Sequence, residues 1–446
     1  MPNLSSLTEA LLTEARKAGA EAADALAVQG NSQSIDIRQG ALEQAERSEG
    51  VEVGLRVLLG GRQACVSASD ISPATFARLA ERAVAMAREA PEDPTVGLAS
   101  PEQLAKTWDL SALELNEDAP EPTASALEAS ARAVEAAALS HQGITQVEAS
   151  SGWSSRTMHL ATSAGFSGGY ARSSHSLSAV AFTGSGTQME RDWAGESRIH
   201  AADMPQASEI GSLAAIRTLE RAGSVKPPTG AYPVLFDERV ASSLIGHLLQ
   251  AINGASIARG ASWALDLLGK QVLPSAMSLI EDPLRPRISG SRPFDGEGLA
   301  TQRRVIVQDG VLTGWTLDLG TARKLGLQST ANASRGTSSP PMPSTSNIDL
   351  TQGAASHADL IRDMGTGLLV TSMIGASINP TTGDYSRGAA GFWVQNGVLK
   401  YPVNECTIAG NLHDMLKRMV AANDAKPHLS TRVPSLLVEG LTRAGA

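Results

Sequence analysis

The sequence predicts an α+β protein, in which a duplicated helix–strands–helix amino-terminal region precedes a mainly antiparallel β carboxy-terminal domain with an inserted helix. Three observations support this prediction. A helical pattern, a set of alternating segments and a second helix occur twice before residue 223. Beyond residue 230 the chain consists mainly of strand-like segments joined by well-defined turns. Among them lies one amphipathic stretch, "VASSLIGHLLQ" at residues 240–250.

The first unit covers residues 1–90. Leucines recur at helical spacing from Leu4 to Leu11, and Gly19 follows as a stop signal. Ser72 is predicted to cap the second helix, with Pro73 as its first residue. Between the helices we expect four strands separated by Gly, Asn and Gln turns, at residues 22–30, 32–40, 50–60 and 62–70.

The order of the first unit returns after a linker. Residues 91–122 are rich in proline and acidic residues, which is typical of a linker or surface excursion. The second unit, residues 123–223, contains a helix, strand-like residues 143–200 and a closing helix. The repeated order predicts an internal duplication.

Residues 230–446 are predicted to form the third domain. Two near-copies within it, "RVIVQDGVLTGW" at 304–315 and "GFWVQNGVLKYP" at 391–402, each place Asp-Gly or Asn-Gly between apolar runs. These dipeptides tolerate the positive φ angles of a type I′ turn. Both segments are therefore predicted to be β-hairpins.

Charge and cysteine usage exclude several classes of protein. The net charge is −9, from 46 acidic and 37 basic residues, and no compact basic cluster occurs, which opposes direct nucleic-acid binding. Cys65 and Cys406 lie far apart and form no CxxC, so we expect reduced thiols. The start of the chain does not resemble a signal peptide, and no run of about 18 apolar residues predicts a membrane span. We therefore expect a cytoplasmic protein without membrane contact.

The residues alone predict neither a catalytic group nor a metal site. A lone histidine such as His247 is usually structural. Ser243 lies one helical turn before it, but no acid at helical spacing would orient a Ser–His pair. The other histidines are scattered, and no His/Glu/Cys set has the spacing of two ligands on one helix face.

Two irregular segments are candidates for binding. The Pro-rich loop 338–350 is either a surface connection or the lining of a groove. Residues 378–394 combine Asn-Pro, Thr-Gly-Asp and Arg-Gly, which form ordinary turns or allow a peptide backbone to approach closely. The residues predicted to line a peptide groove or face a partner are Pro341, Met342, Pro343, Asn379, Gly383, Tyr385 and Gly388.

Several motifs together resemble the PmbA/TldE branch of the TldD/PmbA family. They are "NPTTGDYSRGAAGFWVQNGVLKYPV", followed by "ECTIAGNL", "TARKLGLQSTANASRG", "PPMPSTSN" and the amino-terminal "ARKAGAEAADA". The resemblance covers essentially the whole chain, and its carboxy-terminal motifs are specific.

This resemblance implies a two-subunit metalloprotease in which a TldD-like subunit carries zinc on a His-Glu-three-residues-His helix. Matching that motif to this sequence places its first His at Ser242, its Glu at Ser243 and its second His at His247. Hydroxyls replace one metal ligand and the general base. The family's catalytic branch also has a Cys-bearing tail segment, whereas "NDAKPHLSTRVPS" at 423–435 has no Cys. The resemblance thus implies a degenerate copy of the metal-binding helix.

We therefore expect no cofactor in this chain, zinc in a TldD-like partner, and unfolded peptide as substrate. Two alternatives stay open. One is a homodimeric peptide-binding or scaffold protein without a protease partner. The other is a gyrase-linked modulator that acts indirectly, since the net charge opposes direct contact with DNA.

Overall fold

A computed structural model describes residues 2–444 of the chain, which form an α+β protein with mainly antiparallel sheets. The predicted fold class is confirmed. The elements before residue 223 are, in chain order, α1 (Leu4–Lys17), β1 (Ala22–Arg38), β2 (Ala41–Leu59), β3 (Arg62–Ala68), α2 (Pro73–Glu89), α3 (Ala124–Leu139), β4 (Ile144–Thr162), β5 (Ser167–Thr183), β6 (Glu190–Arg198) and α4 (Ala207–Glu220).

The first six strands form one antiparallel sheet in the order β3-β2-β1-β4-β5-β6. Each half of it follows the order helix, three strands, helix, and the halves meet where β1 pairs with β4. Helices α1 and α2 bury one apolar cluster around Leu55 and Ala80. Helices α3 and α4 bury another around Val134 and Ala214. The two successive units therefore share a single sheet.

The second helix begins as its sequence predicts. The Ser72 hydroxyl accepts a hydrogen bond from the Thr75 backbone N–H at 3.3 Å, and Pro73 is the first helical residue. The apolar stripe faces the sheet, and its buried members include Phe76, Leu79, Ala80, Ala83 and Ala87.

Strands β1 and β2 are longer than predicted. The expected turn near Gly30 is absent, because β1 continues through it, with Gly30 opposite Gly50 on β2 and Arg156 on β4. Pairing on both sides holds the backbone extended despite its local turn preference. The expected turn at residues 39–40 is present, with positive φ at Gln39 and Gly40. The first ten residues of β2 are exposed on both faces, so they lack the alternation that identifies a strand.

The linker at residues 91–122 packs against both neighbouring parts of the protein. The Ala105 N–H donates to the Gly298 carbonyl at 2.8 Å, and Leu98 accepts from Arg323 at 2.7 Å. On the other side, the Ser173 N–H donates to the Leu115 carbonyl at 3.1 Å. These contacts tie the linker to the sheet and to the carboxy-terminal domain.

The carboxy-terminal domain contains the remaining described elements. They are β7 (Gly230–Phe236), α5 (Glu238–Ala251), α6 (Gly254–Ala258), β8 (Leu279–Glu281), β9 (Arg304–Gln308), β10 (Val311–Leu312), α7 (Leu319–Leu325), β11 (Ala333–Ser334), β12 (Met342–Pro343), β13 (Ile348–Leu350), α8 (His357–Met364), β14 (Gly367–Ile378), β15 (Asp384–Gln395), β16 (Val398–Asn411), α9 (Leu412–Lys417), β17 (Met419–Ala421), β18 (Thr431–Arg432) and β19 (Leu436–Ala444).

Five of these strands, β7, β14, β15, β16 and β19, close into a ring, and β17 pairs with β19 outside it. The sheet order is β16-β15-β14-β7-β19-β17, and an additional pairing of β16 with β19 joins its two sides. A smaller sheet has the order β10-β9-β8-β13-β18, and β11 pairs with β12. Helix α5 follows β7 and buries its apolar face in the main core of this domain.

Both predicted hairpins are present. Strands β9 and β10 are joined by Asp309 and Gly310, with φ of 48° and 84°. Strands β15 and β16 are joined by Asn396 and Gly397, with φ of 54° and 71°. Positive φ at both turn positions is the reason for these residue types.

Within residues 2–444, the helices are all too short or too polar to cross a membrane.

Candidate functional site

Helix α5 carries the residues that the resemblance places at the metal-binding positions. Its apolar face is fully buried, with no exposed surface on Leu244, Ile245 or Leu248. At its start, Asp237 accepts a hydrogen bond from the Arg239 N–H at 3.1 Å. The helix is therefore fixed by its core packing and its cap.

The two serines of α5 are half-buried. The Ser243 hydroxyl donates to the Val240 carbonyl of its own helix at 2.7 Å. Such local bonding is common for serine in helices. The Ser243 hydroxyl is thus engaged by the backbone and does not pair with His247.

His247 lies against the ring of Tyr385, with 5.8 Å between ring centroids and an angle of 69° between the planes. Its Nε2 is buried and has no hydrogen-bond partner among the described residues. Burial and the nearby Arg387 both lower the pKa of His247, which favours the neutral imidazole. A cavity of about 310 Å³ opens beside it, lined also by Gln250, Trp263 and Ile378.

The donors on α5 do not fit a zinc centre. Catalytic zinc needs three protein ligands drawn from imidazole, thiolate and carboxylate groups, whereas the three matched positions of α5 carry one imidazole and two hydroxyls, and its Glu238 carboxylate pairs with Lys426. Nowhere in residues 2–444 do three His, Cys, Asp or Glu side chains come close enough to hold a metal ion.

Four residues predicted to line a groove lie on the turn between β14 and β15 or on β15 itself. Asn379 accepts hydrogen bonds from two backbone N–H groups of the turn, and Gly383 has a φ of 76°. Tyr385 is 2% exposed, and burial raises its pKa to about 12. Strand β15 pairs with β14 on one side and β16 on the other. Gly388, in the middle of β15, therefore offers no free edge to a peptide.

The other three predicted groove residues lie elsewhere. Met342 and Pro343 form β12, and the Pro343 carbonyl accepts from Asn253 at 2.8 Å. Pro341 lines a small cavity with Arg56 of the amino-terminal sheet. The Pro-rich loop thus lies at the junction between the sheet and the carboxy-terminal domain, not at the His247 cavity.

The free strand edge of this region belongs to β14. Strand β7 pairs with β14 only from Leu368 to Val370, because the chain then turns into α5. No other described strand pairs with this side of β14 from Ser372 to Ile378. Ile374 is 77% exposed there. Sequence reasoning missed this edge, since only long-range topology decides where β7 stops.

A cluster of buried ionisable side chains joins the amino-terminal sheet to the carboxy-terminal domain. We call Asp24, Arg56, Arg335 and Glu297 the ionic junction. Arg56 donates from Nε to Asp24 at 2.7 Å, and Arg335 forms an ion pair with the other carboxylate oxygen. Burial alone would raise the pKa of Asp24, but the two arginines outweigh it and lower that pKa.

Glu297 has the opposite shift. Burial and the neighbouring Asp295 raise its pKa to about 8. Its carboxyl Oε2 accepts a hydrogen bond from the Leu319 N–H at 2.9 Å. Sequence reasoning missed this cluster as well, because its members are widely separated along the chain.

Similarity to known proteins extends over nearly the whole chain. Residues 23–87 match PmbA/TldA metallopeptidase domain 1, residues 113–222 the central domain, and residues 229–445 the C-terminal domain. Metalloprotease PmbA of Escherichia coli O157:H7 is 37% identical over 414 residues, which cover 92% of this chain and 90% of that protein. A PmbA homolog of Haemophilus influenzae is 35% identical, covering 97% and 94%.

Solved structures agree in fold. A Bacteroides thetaiotaomicron protein, described as a candidate modulator of DNA gyrase, has a TM-score of 0.92 at 27% identity and covers 99% of this chain and 98% of its own. TldE of Thermococcus kodakarensis has a TM-score of 0.83 at 19% identity, covering 98% and 99%. The domain matches and the identity to curated metalloproteases agree over nearly the whole length, and the chain belongs to the PmbA/TldD metallopeptidase family.

Proposed function

We propose that this chain is the zinc-free, PmbA/TldE-like subunit of a cytoplasmic metallopeptidase that processes unfolded peptides with a zinc-bearing, TldD-like partner. The observation that carries the proposal is the chemistry of α5. The motif resemblance matches Ser242 and Ser243 to a metal ligand and a general base, and neither hydroxyl performs those tasks well at neutral pH. Zinc and the water-activating carboxylate are then supplied by the partner.

The free edge of β14 is the proposed site of peptide contact. An extended peptide adds to such an edge through main-chain hydrogen bonds, which give affinity with little sequence preference. The edge ends beside the His247 cavity, which Ile378 and Pro380 line. The exposed Ile374 offers an apolar contact to a peptide side chain.

A peptide N-methylated at alternate residues tests the mode of contact. N-methylation removes main-chain donors while it keeps the side chains. Fluorescence anisotropy with the assembled complex should show much weaker binding of this peptide than of its unmethylated form. Equal affinity would exclude strand addition.

Co-expression with the zinc-bearing relative tests the subunit role. We expect a stable complex, and we expect peptidase activity to require both chains. Mass spectrometry and elemental analysis should place the zinc in the relative. Equal activity from the relative alone, or chelator-sensitive activity from this chain alone, would refute the proposal.

The same experiment addresses the two alternatives. If this chain forms only homodimers and never pairs with the relative, the scaffold function is favoured. The second alternative, a gyrase-linked modulator, is supported by the description of the Bacteroides protein as a candidate modulator of DNA gyrase. With a net charge of −9, an indirect route through peptide processing is favoured over binding to DNA.

A further inference from the structure

A groove of about 950 Å³ lies between β6 of the amino-terminal sheet and strands β14, β15 and β16 of the carboxy-terminal ring. Cavities of about 300–1,000 Å³ are typical of ligand sites. The groove shares no lining residue with the His247 cavity. We call it the sheet–ring groove.

Three residues in register form the floor of this groove. Ile374 of β14 lies opposite Gly388 of β15, and Gly388 lies opposite Thr407 of β16. The next residues, Ala389 and Cys406, point into the main core of the domain, so the floor residues point away from it. A Cβ atom on Gly388 would lie 2.6 Å from Cγ2 of Ile374. Gly388, which the sequence predicted to line a groove, thus leaves space for the Ile374 side chain.

Hydrogen bonds fix the β6 wall against the ring. Asn404 of β16 donates from Nδ2 to the Glu190 carboxylate of β6 at 2.7 Å. In the segment after α4, the Val225 N–H donates to the Pro402 carbonyl at 3.1 Å, and the Val225 carbonyl accepts from the Asn404 N–H at 3.2 Å. The two sides of the groove are therefore held at a fixed separation.

Large apolar side chains are exposed on both sides of the groove. Trp193 of β6 and Met189, just before this strand, are each 53% exposed, and Ile374 on the floor is 77% exposed. Exposed apolar side chains around one concave surface are characteristic of an interaction site. The ligand therefore needs a large apolar group.

The three carboxylates of the wall already have cationic partners. These ion pairs are Glu190–Arg221 at 3.6 Å, Asp192–Arg239 at 3.2 Å and Glu405–Lys226 at 3.5 Å. Arg191 is exposed, so solvent and salt screen its charge. Because moving a charged group out of water without a partner is costly, the groove favours an uncharged ligand group.

The floor of the groove also contains the start of the free edge of β14. Ser372, Met373 and Ile374 line the groove, and the pairing of β14 with β7 ends at Val370. Main-chain groups on a free strand edge pair with an extended peptide. A peptide bound to this edge would therefore bring a side chain to the groove.

We propose that the sheet–ring groove selects peptides with a large, uncharged apolar side chain, which packs against Ile374 and Trp193 while the peptide main chain pairs with β14. The inference rests on the proposed function, because it assigns a side-chain preference to the peptide contact proposed there. Main-chain pairing alone has little sequence preference, so the apolar contact provides the selectivity. The substrate class is an extended peptide that contains a residue such as leucine or phenylalanine.

A series of labelled nonapeptides tests the proposal. Each alternates serine and threonine, except that its fifth residue is leucine, phenylalanine, alanine or aspartate. Fluorescence anisotropy with the full chain should show at least about tenfold tighter binding of the leucine and phenylalanine peptides, because a large side chain leaves water. Equal affinity of all four peptides, tightest binding of the aspartate peptide, or no binding of the leucine peptide below about 1 mM would overturn the proposal.

Variants assign the preference to this groove. Ile374→Ser and Trp193→Ala should each weaken binding of the leucine peptide about tenfold, to the affinity of the alanine peptide. Leu139→Ser, which removes an exposed apolar side chain of α3 outside the groove, should leave the affinity unchanged. Both groove residues are more than half exposed, so we expect their variants to fold, and circular dichroism checks this. An unchanged preference for leucine in folded Ile374→Ser and Trp193→Ala would contradict the site.

Co-expression with the zinc-bearing relative separates this inference from the proposed function. If the two chains form no complex while this chain keeps its preference for leucine, the subunit role fails and the peptide-binding groove stands. If both chains together are an active peptidase but this chain lacks the preference, only the inference fails. If Ile374→Ser or Trp193→Ala prevents assembly with the relative, the groove holds the partner subunit, and the inference is overturned.

Discussion

The ionic junction and helix α5 differ in how they use polar side chains. At the junction, Arg335 and Asp24 are almost completely buried and tie together two parts of the chain that are far apart in sequence. On α5, Ser243 bonds to its own backbone, and the helix is held by apolar contacts such as those of Leu244. Charged side chains such as Arg335 and Asp24 thus connect two domains of this protein. The matched positions Ser242 and Ser243 of helix α5, in contrast, carry no charged side chain.

The largest effect should come from breaking the junction. Arg335→Ala leaves the buried Asp24 carboxylate with one arginine instead of two, and removing one partner of a buried ion pair typically costs about 3–5 kcal/mol. Denaturant unfolding followed by circular dichroism measures this loss. Arg47→Ala, which removes an exposed pair with Glu121, is the matched control and should change the midpoint little. Similar losses in both variants would contradict the role of the junction.

A somewhat smaller loss in the free energy of unfolding is expected when the apolar face of α5 is changed. Leu244 is fully buried on α5, and Leu244→Ala should lower the free energy of unfolding by about 2–5 kcal/mol through lost burial and a cavity. The same denaturant experiment measures it. A loss below about 1 kcal/mol would mean that α5 is not anchored by its core face.

The junction should also make stability depend on pH. The pKa of Glu297 is about 8 in the folded chain, against an ordinary value of 4.5, so the folded state holds a proton that the unfolded state has lost between these values. The contribution of Glu297 to stability should therefore fall as the pH rises from about 5 to 8, by up to about 1.4 kcal/mol per pH unit. Glu297→Gln should remove the part of the slope that Glu297 causes and leave the part that its neighbour Asp295, whose pKa burial also raises, causes.

Thermal unfolding across that pH range provides the measurement. The exposed Glu46→Gln is the control, and its slope should equal that of the unmodified chain. If Glu297→Gln has the same slope as the unmodified chain, Glu297 does not bind the extra proton.

The smallest effect is expected for Ser243→Ala. The hydroxyl bonds only to a carbonyl of its own helix, so its loss should change the free energy of unfolding by no more than about 0.5 kcal/mol. The unfolding midpoints of Ser243→Ala and Leu244→Ala, measured side by side, compare the contribution of the polar face of α5 to stability with that of its buried face. A loss above about 1 kcal/mol would show that the hydroxyl has a structural task.

Local signals explain what the sequence could predict. The hairpin at Asn396–Gly397 needs positive φ at two successive residues, and α2 begins with a serine cap and Pro73. The apolar spacing of α5 likewise predicted its buried face. Each of these features depends on residues within a few positions of one another.

Features that depend on distant residues were not predictable. Asp24 and Arg335 are separated by 311 positions, and no local pattern indicates that they meet. The continuation of β1 through Gly30 depends on its neighbours β2 and β4. The free edge of β14 likewise depends on where β7 ends, which no local pattern indicates. Of the predicted groove residues, Tyr385 and Gly388 lie on β15, which is paired on both sides.

The ring of strands has a consequence for how the chain reaches its native state. Its first strand begins at Gly230 and pairs with a strand that begins only at Leu436. Contacts between such distant segments are costly in loop entropy and form slowly. Until β19 arrives, β7 and β16 present unsatisfied edges that attract other chains. A nascent molecule should therefore be most vulnerable to aggregation, and most dependent on chaperones, just before this last strand is inserted.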